Sequence, residues 1–517
     1  MKFIDSLLNK ITMYRLMLYY LSVLYGAAIV FRFFKILPYN PLDIITSGLY
    51  LIAACFLFNQ LFARIFRVKP NYESQYITGT ILALIVGPLP LLPNIGFMTL
   101  AAVVAMGSKY LIAINKQHIF NPTAFAVVTT ALFLNQGASW WVGDKALLPF
   151  ILLGGLLILR KTSRSNMVLG FLLSFGAFLL LFNFNKTTLG DIPYLLADTL
   201  LSPATLFFAF VMLTEPITSP AHKKMRLYFG IFAGVILVIY QTFLGVFYTT
   251  ELALLTANLL GRIVHFSTKY RLVLKEKKEI GAGIWEFLFT PDKPITFIAG
   301  QFMEWTLSHP HPDTRGTRRY FSISSSPTEK EVMLATKIPE KPSSYKASLM
   351  NLNPGDALYA TNLEGEFVLP LPVIPTKSNV IPTAVEGSRP TIKLKTAAYI
   401  FIAGGIGITP FRSIIKYLLD NNISVPITLF YVAHSKDEFV FDDLFEQAQK
   451  AIGLKLIQTT ERLTEDLIKQ HVEKPSSKTF YLSGPQPMIM AYKEMLEKMG
   501  IKKSNIKTDY FPGYEAI

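Results

Sequence analysis

Up to about His265 the chain is one apolar run after another, with basic residues between the runs. A span of roughly 20 apolar residues is what it takes to cross the hydrocarbon core of a bilayer. Such segments begin near Tyr14, Asp43, Tyr76, Phe97, Thr123, Ala146, Met167, Ser202, Leu227 and Thr250, so residues 1–265 are expected to form a polytopic α-helical membrane domain of about ten helices. Segments 123–135, 146–159 and 250–264 are the short ones. Over all 517 residues the chain is 51% hydrophobic and 16% charged, too oily for an ordinary soluble enzyme. Beyond Lys269 charge and hydrophobe alternate as in a globular domain, so the chain is multidomain.

The loops orient the helices. Basic groups follow every second segment: Arg64, Arg67 and Lys69, then Lys116, then Arg160, Lys161 and Arg164, then Lys223, Lys224 and Arg226, then Lys269 and Arg271. The intervening loops are nearly uncharged. By the positive-inside rule both termini and the second module face the cytoplasm across a cell (inner) membrane. The net charge of +15 therefore reflects lipid as the partner and not nucleic acid. The first segment, Tyr14 to about Phe34, is too long for a removable signal peptide. The single cysteine, Cys55, excludes disulfides, a cysteine-ligated iron–sulfur cluster and a cysteine zinc site. Heme needs axial histidines inside helices. His309, His311, His434 and His471 belong to the second module, and His118, His222 and His265 fall in loops or at helix ends, so no heme is expected.

The second module carries three suggestive stretches. In "TRRYFSISSSP" (Thr317 to Pro327), strand alternation lets Arg319 reach a pyrophosphate while Phe321 covers a flat ring and Ser322 bonds the ring nitrogen that accepts hydride. In "IPEKPSSYKASLMNLNPGD", Ser343 and Ser344 open a helix whose amides suit phosphate, although ordinary N-caps look the same. In "AYIFIAGGIGITPFRSIIKYLL", an apolar strand runs into Gly404, Gly405 and Gly407, and Thr409 and Pro410 start an amphipathic helix, as close approach to a dinucleotide requires.

That order, completed by "FYLSGPQPMIMAYKEML" and the terminal "IKTDYFPGYEAI", resembles the ferredoxin–NADP⁺ reductase superfamily over roughly Ser267 to Ile517. The resemblance implies an antiparallel β-barrel binding FAD over 266–372, a linker or surface insertion over 373–396, and an α/β doubly wound NAD(P)-binding domain over 397–517. It implies that Arg319, Tyr320, Phe321 and Ser322 hold FAD, that Ser343 and Ser344 hold its phosphates, and that Gly404 to Pro410 hold the nicotinamide dinucleotide. Ser483, Gly484, Pro485 and Met488 would lie by the nicotinamide, with Phe511 near the flavin face; Ser322, Ser483 and Phe511 are thus the catalytic candidates. Many members have cysteine where Ser483 stands. His434, Ser435 and Lys436, after the second strand, favour NADPH over NADH slightly, although a solvated loop would read alike.

In the membrane half, "YITGTILALIVGPLPLLP", "KQHIFNPTAFAVV", "FFAFVMLTEPITSP" and "ELALLTANLL" resemble the B subunit of sodium-translocating NADH:quinone oxidoreductase and the D subunit of the Rnf complex, over most of residues 1–265. The resemblance implies flavin-mediated electron relay. The threonine motif that attaches FMN in those subunits is missing, which leaves a non-covalent flavin (FMN or riboflavin) or a quinone. Asn121, Pro122 and Thr123 are read either as a plain helix start or as amides and a hydroxyl facing a flavin. Glu215 is either solvated, paired with Lys223 or Lys224, or part of the flavin or proton site. Helices three and eight share small residues, an apolar span and a proline-broken end, the pattern of an inverted five-helix repeat.

Together these features predict an FAD-dependent NAD(P)H dehydrogenase that passes electrons through its helices to a quinone or an extracytoplasmic flavoprotein. The competing readings are a transporter or a membrane anchor with a regulatory or tethered reductase tail. An ion path needs several buried ionisable residues, and the helices are expected to hold almost none.

Overall fold

A computed structural model describes residues 8, 11–68, 72–114, 117–184, 188–220, 223–264, 268–310, 312–313, 316–370, 392–393 and 398–509. The chain separates into two units, Met1–Phe266 and Ser267–Ile517.

Among the described residues of the first unit the helices are α1 (Met13–Phe33), α2 (Pro41–Ile65), α3 (Tyr72–Val86), α4 (Leu91–Leu111), α5 (Pro122–Leu134), α6 (Leu148–Thr162), α7 (Ser165–Asn183), α8 (Ile192–Leu200), α9 (Pro203–Phe207), α10 (Lys223–Phe243) and α11 (Thr249–Val264), each near an expected apolar segment except α8, which the apolar pattern does not place. A two-residue hairpin, β1 (Ala113–Ile114) with β2 (Gln117–His118), joins α4 to α5. By length and composition five helices can cross a membrane, or six if α8 and α9, bent by 48°, count as one broken span. Among the described residues the remaining helices are of less than spanning length. α3, α5, α6 and α11 have 13 to 16 residues, and at about 1.5 Å per residue they fall short of a core about 30 Å thick. The apolar pattern reports exclusion from water and not length. Every residue of α3 from Thr78 to Val86 is buried in protein, where an incomplete helix is tolerated.

Two local devices shape this bundle. α7 and α10 touch backbone to backbone because α10 presents Gly230 and Gly234: a Cβ at Gly234 would stand 2.6 Å from Phe171 O, and one at Gly230 would strike Met167 O. After α9 the chain makes a π-helical turn, Phe208–Met212, with Leu213 N–H donating to Phe208 O at 2.9 Å, and Pro216 forbids continuation. Glu215 is left at the broken end.

The second unit begins with a six-stranded antiparallel sheet of β3 (Tyr270–Gly281), β4 (Ile284–Pro291), β5 (Phe302–Thr306), β6 (Arg318–Ser322), β7 (Val332–Lys337) and β8 (Ala357–Glu364), in the order β6-β5-β8-β3-β4-β7. Beyond β6 the chain turns toward the opposite edge, and Ser324 N–H donates to Met333 O of β7 at 2.9 Å. Phe287, Phe289, Trp305 and Leu334 fill the interior, capped by Tyr345 of α12 (Ser344–Met350). Most of the expected insertion lies outside the described residues; within it β9 (Ile392–Lys393) pairs with β11 (Ile423–Ser424).

A five-stranded parallel sheet follows, from β10 (Tyr399–Gly404), β12 (Ile427–Val432), β13 (Lys455–Thr459), β14 (Thr479–Ser483) and β15 (Ile506–Asp509), ordered β13-β12-β10-β14-β15. Tyr399, Phe401 and Ala403 of β10 face the core built with α13 (Thr409–Asp420) and α14 (Asp442–Ile452). Ile400 and Ile402 face the core built with α15 (Glu465–His471) and α16 (Gln486–Lys498). Burial on both faces explains why the β10 sequence is a continuous apolar run without alternation.

The two sheets are clamped by Arg412 of α13, whose Nη2 donates to Glu329 Oε1 at 2.9 Å and whose Nη1 donates to Glu329 Oε2 and to Ser324 O at 3.1 Å. Ser413 Oγ donates to Ser325 O at 2.6 Å beside it. Breaking a buried pair by removing one partner leaves the other charge uncompensated. Arg412→Ala is expected to destabilise this half by about 3–5 kcal/mol, seen as faster hydrogen exchange along β7 and α13. A loss below about 1 kcal/mol would class the pair with exposed ones.

Candidate functional site

In an open parallel sheet the ligand crevice lies beyond the carboxyl ends of the strands, where the strand order reverses. Here the reversal falls between β10 and β14, and it brings Gly404 at the end of β10 beside Ser483 at the end of β14. Gly405 has φ +52°, and a Cβ built on it would meet nothing within 4 Å, so the backbone there is left-handed with open space above. Gly407 is tight: a Cβ would strike Ser483 O and stand 2.6 Å from Gly484 Cα. Met488 reaches back over Gly404, and Pro485 flanks the start of α16. Residues 405–408 wind as a 3-10 turn straight into α13, and Thr409 Oγ1 donates to Ile406 O at 3.2 Å. His434 and Lys436 stand exposed just past the end of β12, with Ser435 between them. This arrangement fits a dinucleotide: bare backbone, oriented amides and a neighbouring strand end with polar groups.

On the other sheet, β6 alternation puts Arg319 and Phe321 on one face. Both converge on Tyr345, with the Arg319 guanidinium 5.2 Å from the Tyr345 ring centre and the Phe321 ring 5.9 Å from it. Tyr320, on the opposite face, is 43% exposed. Ser344 Oγ lies 3.2 Å from His309 Nε2, and Ser343 caps α12 through Lys346 N–H. Ser322, buried at the end of β6, meets a residue that sequence reasoning misses: its Oγ is 3.3 Å from Asp509 Oδ2 at the end of β15. Burial pushes the Asp509 carboxyl up to about 7, and the hydrogen bond from Ser322 pulls in the opposite direction. The signal that could have found it is an acidic residue closing an apolar strand just before the terminal aromatics. Phe511 lies outside the described residues. Cation, aromatic faces and hydroxyls on β6 and α12 suit a flavin with its phosphates.

In the membrane unit, the Glu215 carboxylate is 23% exposed and is held by polar groups from elsewhere in the chain. Its Oε1 lies 3.1 Å from His118 Nε2, and its Oε2 accepts from Asn121 Nδ2 at 2.9 Å and from Thr218 Oγ1 at 3.1 Å. Asn258 of α11 accepts from Asn121 N–H at 2.9 Å and donates to Thr218 O at 3.1 Å. Asn121 Oδ1 caps α5 through Ala124 N–H, Pro122 takes the first helical position, and Thr123 is buried beside them. Arg164 bonds Ser219, whose hydroxyl donates to Glu215 O. His118, Thr218 and Asn258 are not singled out by sequence. Among the described residues Glu251 of α11 is 1% exposed and accepts from Trp140 Nε1 at 2.9 Å, and Arg164, before the start of α7, is 5% exposed. Glu251 and Asn258 lie seven residues apart on one face of α11, a periodicity visible in "ELALLTANLL".

The carboxyl-end crevice with its glycine turn defines the C-terminal half as an NAD-binding oxidoreductase module. Residues 401–494 match the oxidoreductase NAD-binding domain, and residues 116–273 match the NQR2, RnfD, RnfE family. The membrane-family match thus begins at residue 116 and not near the N-terminus. Flavohemoprotein A of Dictyostelium discoideum is 25% identical over 250 residues, 46% of this chain and 59% of that protein. The F subunit of Na(+)-translocating NADH-quinone reductase of Klebsiella pneumoniae is 27% identical over 225 residues, 38% of this chain and 49% of that protein. The chain thus spans about half the length of these curated relatives. The flavohem-like FAD/NAD binding domain of nitric oxide dioxygenase from Vibrio cholerae aligns at 20% identity and TM-score 0.37, covering 47% of this chain and 98% of that one.

Proposed function

We propose that the protein is a membrane-bound NAD(P)H dehydrogenase that takes hydride from the nicotinamide at its C-terminal module and delivers electrons through its helices. The observation that carries this reading is the approach of Ser322 and Asp509, at strand ends of the two sheets, to within 3.3 Å. In this reading the nicotinamide side of one sheet and the flavin side of the other share one crevice. FAD bound there would accept a hydride and release electrons singly. Arg319 and Ser344 bind its phosphates, Phe321 covers its ring, and Ser322 donates toward the ring nitrogen. Gly404 to Pro410 bind the dinucleotide, with Ser483, Gly484 and Met488 beside the nicotinamide. His434 and Lys436 suit a 2′-phosphate, which favours NADPH.

The Glu215, His118, Asn121, Thr218 and Asn258 network is the membrane electron site in this reading. It holds a non-covalent flavin or a quinone on the cytoplasmic side, where the basic loops place the reductase module. A quinone or an extracytoplasmic flavoprotein is the acceptor. Glu215→Gln is expected to slow electron exit from the reduced module by roughly 10-fold or more, as loss of a charge-assisted bond implies, without changing NAD(P)H-driven flavin reduction. Stopped-flow absorbance separates the two steps. If neither changes, Glu215 is only a structural helix end.

Transport with a regulatory tail is the second reading, favoured by the burial of Glu251. Flavin extraction and an absorbance spectrum of the purified protein decide between them. Two flavins per chain, bleached by NAD(P)H, support the relay; a bound flavin that NAD(P)H does not bleach sinks the dehydrogenase reading.

A further inference from the structure

The segment joining β5 to β6 holds both of the side chains assigned above to flavin phosphates. Asp313 accepts from Arg319 Nη2 with both carboxylate oxygens, at 2.8 and 3.0 Å, and the two side chains are 19% and 15% exposed. Arg319 Nη1 donates to Gly316 O at 3.0 Å and to Arg318 O at 2.6 Å. A guanidinium has five N–H groups; Nη1 of Arg319 spends its pair on carbonyls of the chain itself, and one N–H of Nη2 is shared between the two Asp313 oxygens. A phosphate that engages this fork meets the Asp313 carboxylate on the same guanidinium.

The same segment commits Ser344. Asp313 N–H donates to Ser344 Oγ at 2.9 Å. His309 Nδ1 lies 2.8 Å from Leu307 O, which can only accept, so Nδ1 carries the proton and Nε2 of the neutral ring is an acceptor. The Ser344 hydroxyl, 3.2 Å away, therefore donates to His309 Nε2. One of its lone pairs and its proton both point into the segment that carries Asp313. The Asp313 carboxylate, accepting from Arg319, and His309 Nε2, accepting from Ser344, do at these two groups what phosphate oxygens would do.

We propose that Asp313 is a specificity-determining residue of the flavin site: an internal carboxylate that competes with flavin phosphate for Arg319. The proposal rests on the assignment of Arg319 to flavin phosphate under the proposed function. Binding then exchanges one charged pair for another, so the phosphate contributes less to affinity than an uncommitted guanidinium would give, as expected of specificity set by a competing group. A flavin without phosphate meets no such competition.

The test uses full-length protein freed of flavin by dialysis, titrated with FAD and with riboflavin by fluorescence quenching. The variants are Asp313→Asn, which keeps the size and removes the charge, and Asp313→Ser as a second form. The expected result is FAD binding on the order of tenfold tighter in both, about 1.4 kcal/mol, with riboflavin binding unchanged. In an Arg319→Met background the gain should vanish, because the competition has lost its object. If FAD binding is unchanged or weaker in both Asp313 variants while Arg319→Met still weakens it, Asp313 orients Arg319 for phosphate and the competition is overturned. If Arg319→Met leaves FAD binding unaffected, the flavin-site assignment itself fails, and this proposal with it.

Discussion

Gly407→Ala is expected to abolish NAD(P)H-driven flavin reduction while the flavin stays bound. A Cβ at this position has no room: it would strike Ser483 O and lie 2.6 Å from Gly484 Cα, both backbone atoms that cannot rotate away. The β14 end would have to move, taking Ser483 and the Met488 contact over Gly404 with it. A displacement of about 1 Å at a reacting site costs roughly 100-fold in rate. The substitution lies on the parallel sheet, whereas Arg319, Phe321 and Ser322 lie on the antiparallel one. Flavin content should therefore be retained and reduction by NAD(P)H lost in stopped-flow absorbance, with dithionite reduction normal. A variant that still reduces flavin within about threefold of the parent rate would remove the glycine turn from the nicotinamide site.

A second large effect is expected at Ser322 and Asp509. Removing one preorganised donor from a reacting centre costs about 100-fold or more, so Ser322→Ala should depress flavin reduction to that extent. Asp509 decides when Ser322 can act. Above about 7 the carboxylate only accepts, and it pins the Ser322 hydroxyl; below that the neutral carboxyl donates to Ser322 and frees its proton for the ring nitrogen. The reduction rate should rise as pH falls through 7, and Asp509→Asn, which resembles the neutral acid, should flatten that profile.

Stability has the same sign. Burial raises the folded carboxyl to about 7 from 3.8 when unperturbed, so its contribution is fully present below about pH 4 and lost as pH rises to 7, by roughly 4 kcal/mol in all. Thermal unfolding of the parent and of Asp509→Asn between about pH 4 and pH 7, across that window, measures it. A parent protein whose stability and rate are both flat across this range would place Asp509 in water.

The order of elements is legible because it is written in local pattern. "AYIFIAGGIGITP" has the continuous apolar run of a strand buried on both faces, then the glycines that only a turn between β10 and α13 requires. Asn121 and Pro122 together read as a cap and a first helical turn, and they form one. Chain-distant pairings leave no such trace. Glu215 is visible as a carboxylate at a proline-broken end, but its partners come from β2, from the cap of α5 and from the turn that Asn258 of α11 holds. Arg319 reads as available for phosphate, since nothing in "HPDTRGTRRY" says that Asp313 turns back onto it.

By itself the sequence determined that this chain has an apolar helical half and an α/β reductase half, and where the helices, the glycine turn and the β6 strand begin. Hydrophobic periodicity and turn chemistry act over a few residues and need no knowledge of the rest of the chain. Only the tertiary structure decided how many helices are long enough to cross a bilayer, which carboxylates are buried, and that Ser322 meets Asp509 and Asp313 holds Arg319. Those outcomes depend on where separate elements pack, because a buried polar group must find a partner wherever the fold supplies one.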